Sequence, residues 1–198
     1  MKALFWNIVG FGARGRREQI RDLVHGDNID IVGLVETFKD SFSRNELSVI
    51  AGMYRFDWHV LPSSGHSGGI FIGSKRNVFD FVAFDHGIFW ASMVVCHKAL
   101  NTLWEFIVVY GPADHPLTSM FLDELSTKSE ACNIPIVIGC DFNLLRTLSD
   151  KSNAKFSWPL ANAFNDFIST CVIRELPRVG AHFTWSNHQA IPIRYVLD

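Results

Sequence analysis

The sequence has few charged residues, no paired cysteine motif and no long apolar run. Only 19% of its 198 residues are charged, the formal net charge is −2, and the four cysteines form no CxxC pair. Scattered cysteines argue against a disulfide framework or a zinc module and favour a reducing compartment. No apolar run reaches the roughly 20 residues of a membrane helix, which argues against a membrane-spanning protein.

We also expect no secretory signal. Lys2 and the mostly apolar residues 3–11 faintly resemble one, but Asn7 interrupts the segment, no A-x-A pattern follows, and arginines begin at Arg14. Such a segment is not typical of signal peptides. We therefore expect an intracellular protein, nuclear or cytoplasmic, that is not secreted.

Apolar and aromatic residues are abundant. Hydrophobic residues make up 48% of the chain, which contains 17 Phe and 6 Trp. A chain of this length and composition can bury a large core. Because no internal repeat, low-complexity tract or Pro/Gly/Ser linker divides it, we expect a single domain over residues 1–198.

Short apolar, β-branched and aromatic runs bounded by turn residues predict many strands. They lie at about 2–8, 29–35, 56–61, 69–73, 77–84, 88–97, 103–110, 135–140, 173–176, 182–186 and 193–197. Helical spacing predicts helices at about 14–25, 116–131 and 159–171, with a weaker one at 43–51. Helices at both ends and hairpins in the middle favour mixed sheets covered by helices over a purely parallel fold.

Polar side chains stand at the ends of otherwise apolar strands, where a rigid sheet can hold them at the edge of a site. These residues are Asn7, Glu36, Tyr110, Asp141, Asn143, Asn187 and Asp198. Any one alone is better explained as a turn former or helix cap. Together, carboxylate and amide oxygens without a His/Cys cluster suit Mg²⁺, which can polarise a phosphodiester while a carboxylate activates water.

Short motifs identify the family that the chain resembles. In chain order they are Trp6-Asn7 with Gly10, Glu36-Thr37, Ser67-Gly-Gly-Ile70, Val109-Tyr-Gly-Pro112, Gly139-Cys-Asp-Phe-Asn143, Phe183-Thr-Trp-Ser-Asn187 and Val196-Leu-Asp198. With them the chain resembles the endonuclease/exonuclease/phosphatase superfamily, and within it the apurinic-type endonuclease domains of plant non-LTR (LINE) retrotransposons. Gly-x-Asp-Phe-Asn followed by Thr-Trp-Ser-Asn is a specific combination, whereas Trp-Asn or Tyr-Gly-Pro alone carries little weight.

The resemblance implies an α/β (α+β) fold, a four-layer sandwich of two mixed β-sheets flanked by helices and lacking its last strands. It also implies a DNA-nicking endonuclease with Mg²⁺ or Mn²⁺ as cofactor. Glu36 would be the principal metal carboxylate, with Asn7 in support. Asp141 would activate the water, Asn143 would hold the phosphate, and Tyr110 would contact it.

Double-stranded DNA is the partner that the resemblance implies. Asn187 and Trp185 would lie on the DNA-facing rim. Arg14 and Arg16, in an arginine cluster, are either a solvated helix face or a patch that binds the DNA backbone, and both interpretations stay open.

The catalytic histidine that the resemblance implies is missing from this sequence. Asp198 matches the aspartate that orients it, but the Ser-Asp-His motif that would carry it, together with a further metal-cluster aspartate, does not occur. His66, His115 and His182 lie near loops, yet none stands in an Asp-His context after the strand that ends in Leu-Asp198. We therefore expect a domain that is incomplete at its C-terminus.

Other functions remain open on the sequence alone. Gly10-Phe-Gly12-Ala-Arg-Gly15 is a GxGxxG pattern after a predicted strand, with Glu36 about 20 residues later, as in a dinucleotide fold. Against it, successive β-runs follow instead of strand-helix-strand units, and Asp141 would have no role. A DNA-binding protein without catalysis and a phosphatase of the same superfamily are further alternatives.

From the sequence we expect low solubility and little or no nuclease activity for residues 1–198. In the family that the chain resembles, the final segment supplies strands to a central sheet as well as the histidine, so its absence exposes an edge and part of the aromatic core. Incubation of the purified protein with supercoiled plasmid and Mg²⁺ measures this. Clear Mg²⁺-dependent nicking, abolished by Glu36→Ala, would contradict the expected impairment.

Overall fold

A computed structural model describes residues 1–63, 68–153, 155–177, 179–186, 189 and 192–196. In chain order the helices and strands are β1 (Ala3–Asn7), α1 (Arg14–Gly26), β2 (Ile31–Val35), α2 (Arg44–Ala51), β3 (Phe56–Leu61), β4 (Ile70–Lys75), β5 (Phe79–His86), β6 (Trp90–His97), β7 (Thr102–Tyr110), α3 (Thr118–Ala131), β8 (Ile136–Asp141), α4 (Trp158–Thr170), β9 (Trp185–Ser186) and β10 (Arg194–Tyr195). Two compact units result, Met1–Tyr110 with Cys132–Asp141, and Gly111–Ala131 with Phe142–Asp198.

The first unit contains two four-stranded mixed sheets. In the first sheet the order is β1-β2-β4-β3, with β1 and β2 parallel and the other neighbours antiparallel. In the second the order is β5-β6-β7-β8, with β7 and β8 parallel and the others antiparallel. The predicted mixed α/β architecture with two sheets and helices is therefore confirmed.

Strand β2 is buried on both faces, which explains its unbroken apolar run. Ile31 and Val35 belong to the core between the two sheets. Val32 and Leu34 point the other way because side chains alternate along a strand, and they join a second core with α1 and α2. These two helices thus cover the outer face of the first sheet.

The ring of Phe5 in β1 is seated between two glycines that belong to different sheets. A Cβ at Gly33 of β2 would lie 2.7 Å from Phe5 Cδ1 and 2.6 Å from Val108 Cγ2. A Cβ at Gly139 of β8 would lie 2.8 Å from Phe5 Cδ2. Both contacts are closer than carbon atoms can approach, so the missing side chains allow β1 to lie against β2 and β8.

The second unit holds α3, α4 and the short β9-β10 ribbon, which is antiparallel. The ring of Phe142 lies 6.3 Å from that of Phe121 on α3 and 5.1 Å from that of Phe164 on α4. Aromatic rings at such separations contribute through both burial and ring geometry. They form an aromatic centre for this unit.

The helices differ in how their first turns are stabilised. A capping box of Ser43 and Glu46 begins α2. No side chain caps α1, and its first turn carries no acidic residue but has Arg14 and Arg16. Cations at a helix N-terminus oppose the helix dipole, so α1 begins against local preference.

Within the part of the chain that is described, no helix is long and apolar enough to cross a bilayer.

One predicted strand, at about 173–176, is wrong, because residues 173–177 are irregular. Val172 has φ 54°, and the N–H of Ile173 donates to the carbonyl of Ile168 at 3.0 Å. The backbone at Val172 and Ile173 thus closes the C-terminal end of α4. The strands predicted at about 182–186 and 193–197 shorten to β9 and β10.

We expect Gly33→Ala to lower the free energy of unfolding by about 1–3 kcal/mol or more, because its methyl group overpacks the contact with Phe5 and Val108. Gly15→Ala is the control: a Cβ at Gly15 in α1 would have nothing within 4 Å, so alanine there is neutral or stabilises by up to about 1 kcal/mol. Urea unfolding followed by tryptophan fluorescence measures both. Equal stability of the two variants would contradict the packing argument.

Candidate active site

Four of the predicted residues meet at one edge of the first unit, where two parallel strand pairs end. Asn7 ends β1, and Glu36 directly follows the neighbouring β2. Tyr110 ends β7 and pairs in register with Asp141, the last residue of β8. Because parallel strands end at the same edge of a sheet, each pair presents its last side chains together.

Hydrogen bonds tie these side chains into one cluster. The Asn7 Nδ2 amide donates to Glu36 Oε1 at 3.0 Å and to Asp141 Oδ2 at 2.8 Å. The Tyr110 hydroxyl donates to the same Glu36 Oε1 at 2.8 Å. The Asn7 Oδ1 accepts from the N–H of Val9 at 3.2 Å, which fixes the amide plane. Two carboxylates from different sheets are thus joined through one amide.

The backbone around the carboxylates is strained. Glu36 has φ 54° and Cys140, directly before Asp141, has φ 104°. L-residues rarely adopt such values, and such strain persists only where surrounding contacts fix it. At Glu36 one such contact is the 2.7 Å bond from the N–H of Gly10 to its carbonyl. Strain of this kind concentrates at functional sites.

Tyr110 keeps its proton in this environment. Burial raises the pKa of its hydroxyl well above the usual value, and the hydrogen bond to Glu36 and the negative charges of Glu36 and Asp141 raise it further. The phenol is therefore a neutral donor at any pH near neutrality.

The cluster offers oxygen donors that fit a hard divalent cation. Glu36 and Asp141 supply carboxylates, which the Asn7 amide orders through its Nδ2. The described ranges contain no group of three or more His, Cys, Asp or Glu side chains that could hold a metal ion by themselves. Mg²⁺ takes one or two carboxylates and completes its shell with water and substrate oxygens, whereas structural zinc needs more nitrogen or sulfur ligands. The donor set therefore fits an ion of the magnesium type.

The basic side chains on α1 and after β2 have their described partners outside the cluster. The guanidinium of Arg16 lies 5.2 Å from the centre of the Trp6 ring. Arg14 is exposed and pairs with Glu18 at 2.9 Å. Lys39 bonds Glu46, and this bond is the main reason that the pKa of Glu46 falls to about 2. DNA contact by Arg14 and Arg16 stays a prediction.

The remaining predicted residues lie in the second unit. Asn143, with φ 52°, donates from Nδ2 to the carbonyl of Gly111 at 2.8 Å. Trp185 is partly exposed, and its ring centre lies 5.1 Å from that of Tyr195. The proposed roles of these two stay predictions. Asn187 and Asp198 lie outside the described residues.

Two features of the site could not be predicted from the sequence. A Cβ at Gly68 would lie 2.9 Å from Glu36 Cα, so this glycine lets the chain pass against the carboxylate residue. The motif Ser67-Gly-Gly-Ile70 signals a glycine pair but not this role. Val9 and Phe38 are large apolar residues, yet they are 64% and 58% exposed on loops beside Asn7 and Glu36. Their sequence gives no sign of this exposure.

The sheet topology argues against the dinucleotide alternative. A dinucleotide fold continues as parallel strand-helix-strand units, but the strand next to β2 is β4, which runs antiparallel. Gly12 and Gly15 of the GxGxxG pattern have no heavy atom near their Cβ positions, so they do not serve close packing. They are better explained as part of the turn into α1.

Comparisons with known proteins agree with the motifs. A sequence model described as the Endonuclease/Exonuclease/phosphatase family matches residues 4–189. No curated protein matches the sequence significantly.

Solved structures share the fold at low sequence identity. An AP endonuclease from Archaeoglobus fulgidus has a TM-score of 0.64 at 14% identity, over 86% of this chain and 70% of that one. The Xenopus laevis APE2 catalytic domain has 0.62 at 18%, over 84% and 67%. A mannosyl-6-phosphatase from Bacteroides thetaiotaomicron has 0.57 at 15%, over 85% and 70%. Such similarity demonstrates the fold alone.

We expect Tyr110 to ionise only well above pH 10, the usual tyrosine value. Because its folded pKa is raised, its contribution to stability is complete below about pH 10 and is lost as the pH rises from there. The difference in phenolate absorbance between the unaltered chain and Tyr110→Phe isolates this group in an alkaline titration.

Glu36→Gln provides the matched test of the cause. It removes the carboxylate charge but leaves the burial, so the Tyr110 pKa should fall part of the way towards its usual value. Ionisation of Tyr110 at its usual pH in the unaltered, folded chain would contradict the described contact.

Proposed function

Because the chain belongs to the endonuclease/exonuclease/phosphatase family, we propose that it is a metal-dependent phosphodiesterase domain that nicks DNA. The observation that carries this proposal is the hydrogen-bonded cluster of Asn7, Glu36, Tyr110 and Asp141. Carboxylates joined at a strained sheet edge suit phosphate ester chemistry, which needs a cation to balance the phosphate charge and a base for water.

In the proposed mechanism Glu36, supported by Asn7, would hold the cation, which supplies electrostatic stabilisation of the phosphodiester charge when bound. Asp141 orients the attacking water and accepts its proton, since Asn7 fixes its carboxylate. The water oxygen forms a bond to phosphorus while the bond to the 3′ oxygen breaks, and protonation of that oxygen leaves a 3′-hydroxyl end. Tyr110 keeps the Glu36 carboxylate in place through its hydroxyl.

DNA is the proposed substrate because of the surroundings of the cluster and because of the structural neighbours. Basic residues stand close to the cluster in sequence, Arg16 and Arg17 on α1 and Lys39 three residues after Glu36. Arg16 lies over the Trp6 ring, while Arg17 and Lys39 pair with Glu46. Two of the neighbouring structures are named as AP endonucleases. The motifs Gly139-Cys-Asp-Phe-Asn143 and Phe183-Thr-Trp-Ser-Asn187 support a LINE-like endonuclease, whose nick would supply a 3′ end for reverse transcription.

A phosphomonoesterase is the second candidate. A mannosyl-6-phosphatase shares the fold at a TM-score of 0.57, and the same cluster would serve a phosphate monoester. Hydrolysis of sugar phosphates without DNA cleavage would favour this candidate.

Plasmid nicking with Mg²⁺ or Mn²⁺ tests the proposed function. The Ser-Asp-His motif does not occur in the 198 residues, so we expect slow nicking that long incubation detects. Glu36→Gln should lower that rate about 100-fold, because the cation loses its main carboxylate. Glu18→Gln is the control, since Glu18 is a carboxylate on α1 paired with Arg14, and it should change the rate less than about twofold.

The outcomes separate the candidates. Equal loss of nicking in both variants, or nicking that survives Glu36→Gln, would contradict the proposed site. Salt-sensitive DNA binding without turnover would instead support the non-catalytic alternative. If the protein neither bound nor cleaved DNA, both the nuclease proposal and the DNA-binding alternative would be excluded.

A further inference from the structure

An exposed aromatic ring stands beside the carboxylate cluster without a role in it. Phe38 follows Glu36 by two residues and is 58% exposed. We infer that the face of the Phe38 ring is a stacking platform for a nucleobase next to the phosphodiester at Glu36 and Asp141. This inference rests on the proposed function and adds a substrate-binding residue to it.

Two glycines lie against the Phe38 ring. Phe38 Cε1 lies 3.1 Å from the position that a Cβ at Gly68 would take, and Phe38 Cδ2 lies 3.5 Å from that at Gly10. The same Gly68 position is 3.1 Å from Glu36 Cγ. The ring edge is therefore a neighbour of the carboxylate stem across Gly68, and a side chain at Gly68 would press on both.

The backbone presents this ring outward. Phe38 has φ 50°, and its N–H donates to the carbonyl of Gly68 at 2.8 Å. A bulky residue rarely has a positive φ, so the conformation is strained. In the same loop Phe42 turns inward, with its ring centre 4.8 Å from that of the fully buried Phe11. The loop thus buries one aromatic ring and exposes the other.

The segment after Phe38 is anchored by charge. Lys39 bonds Glu46 on α2, and Arg17 on α1 lies 3.6 Å from the same carboxylate. The Lys39 ammonium also lies 5.3 Å from the Phe42 ring centre. Binding a base on an already ordered ring loses little conformational entropy.

A nucleobase is the ligand that these features select. The ring is flat, apolar and exposed, and it adjoins the carboxylate cluster proposed to bind a phosphate and a cation. Bases stack on aromatic side chains with little dependence on sequence. The inference therefore predicts an effect on DNA affinity and on the position of the bound strand, but no preference for one base.

Binding of a duplex oligonucleotide that carries 2-aminopurine tests the inference, with the analogue placed at successive positions and Ca²⁺ in place of Mg²⁺ to suppress cleavage. Anisotropy of an end label gives the affinity, and 2-aminopurine emission reports stacking. We expect Phe38→Ala to weaken binding about tenfold and to abolish a change in emission seen at one position with the unaltered chain.

Matched variants distinguish stacking from a general effect. Phe38→Tyr keeps the ring and should bind within about twofold of the unaltered chain, whereas Phe38→Leu keeps apolar area and should behave like alanine. Met53→Ala, at a residue 84% exposed after α2, should change nothing. Circular dichroism verifies that each variant is folded.

Three outcomes would overturn the inference. Unchanged affinity and emission in Phe38→Ala would exclude the stacking role while leaving DNA nicking intact. Weaker binding with the emission change preserved would assign Phe38 to loop support. Absence of any DNA binding by the unaltered chain would remove the proposed function together with the inference.

Discussion

The site depends on a single amide placed between two carboxylates. Asn7 donates to Glu36 of one sheet and to Asp141 of the other, so its amide nitrogen makes one hydrogen bond to each carboxylate. At about 5 Å and an effective dielectric constant of about 20, two such charges repel by about 3 kcal/mol. The amide and the Tyr110 hydroxyl offset part of this cost by direct donation to the ionised oxygens.

Core packing brings that amide to its position. Phe5 and Asn7 are two residues apart on β1 and therefore point to the same face. The Phe5 ring contacts Gly33 in β2 and Gly139 in β8, which draws β1 against both sheets. The glycine in Gly139-Cys-Asp-Phe-Asn143 thus has a packing role. The motif combines a packing requirement with the acidic residue, Asp141, that it positions.

The cluster at the strand ends was predictable from the sequence, whereas the backbone conformation around it was not. Asn7, Glu36, Tyr110 and Asp141 were predictable because polar residues after apolar strands collect where parallel strands end. The left-handed backbone at Glu36 and Phe38 was not, since neither is a residue type that favours it. The segment 173–176 was predicted as a strand because periodicity alone does not separate a short strand from the residues that follow the end of a helix.

Neutral donors around Glu36 matter for what the site can attract. A lysine in place of Asn7 would satisfy the same carboxylate oxygens, but its charge would cancel part of the field that draws a divalent cation. Asn7 and Tyr110 instead order the acids and leave their charges uncompensated, and the raised pKa keeps Tyr110 neutral. The nearby basic residues in sequence do not neutralise Glu36 either, because Arg16 lies over the Trp6 ring and Lys39 bonds Glu46.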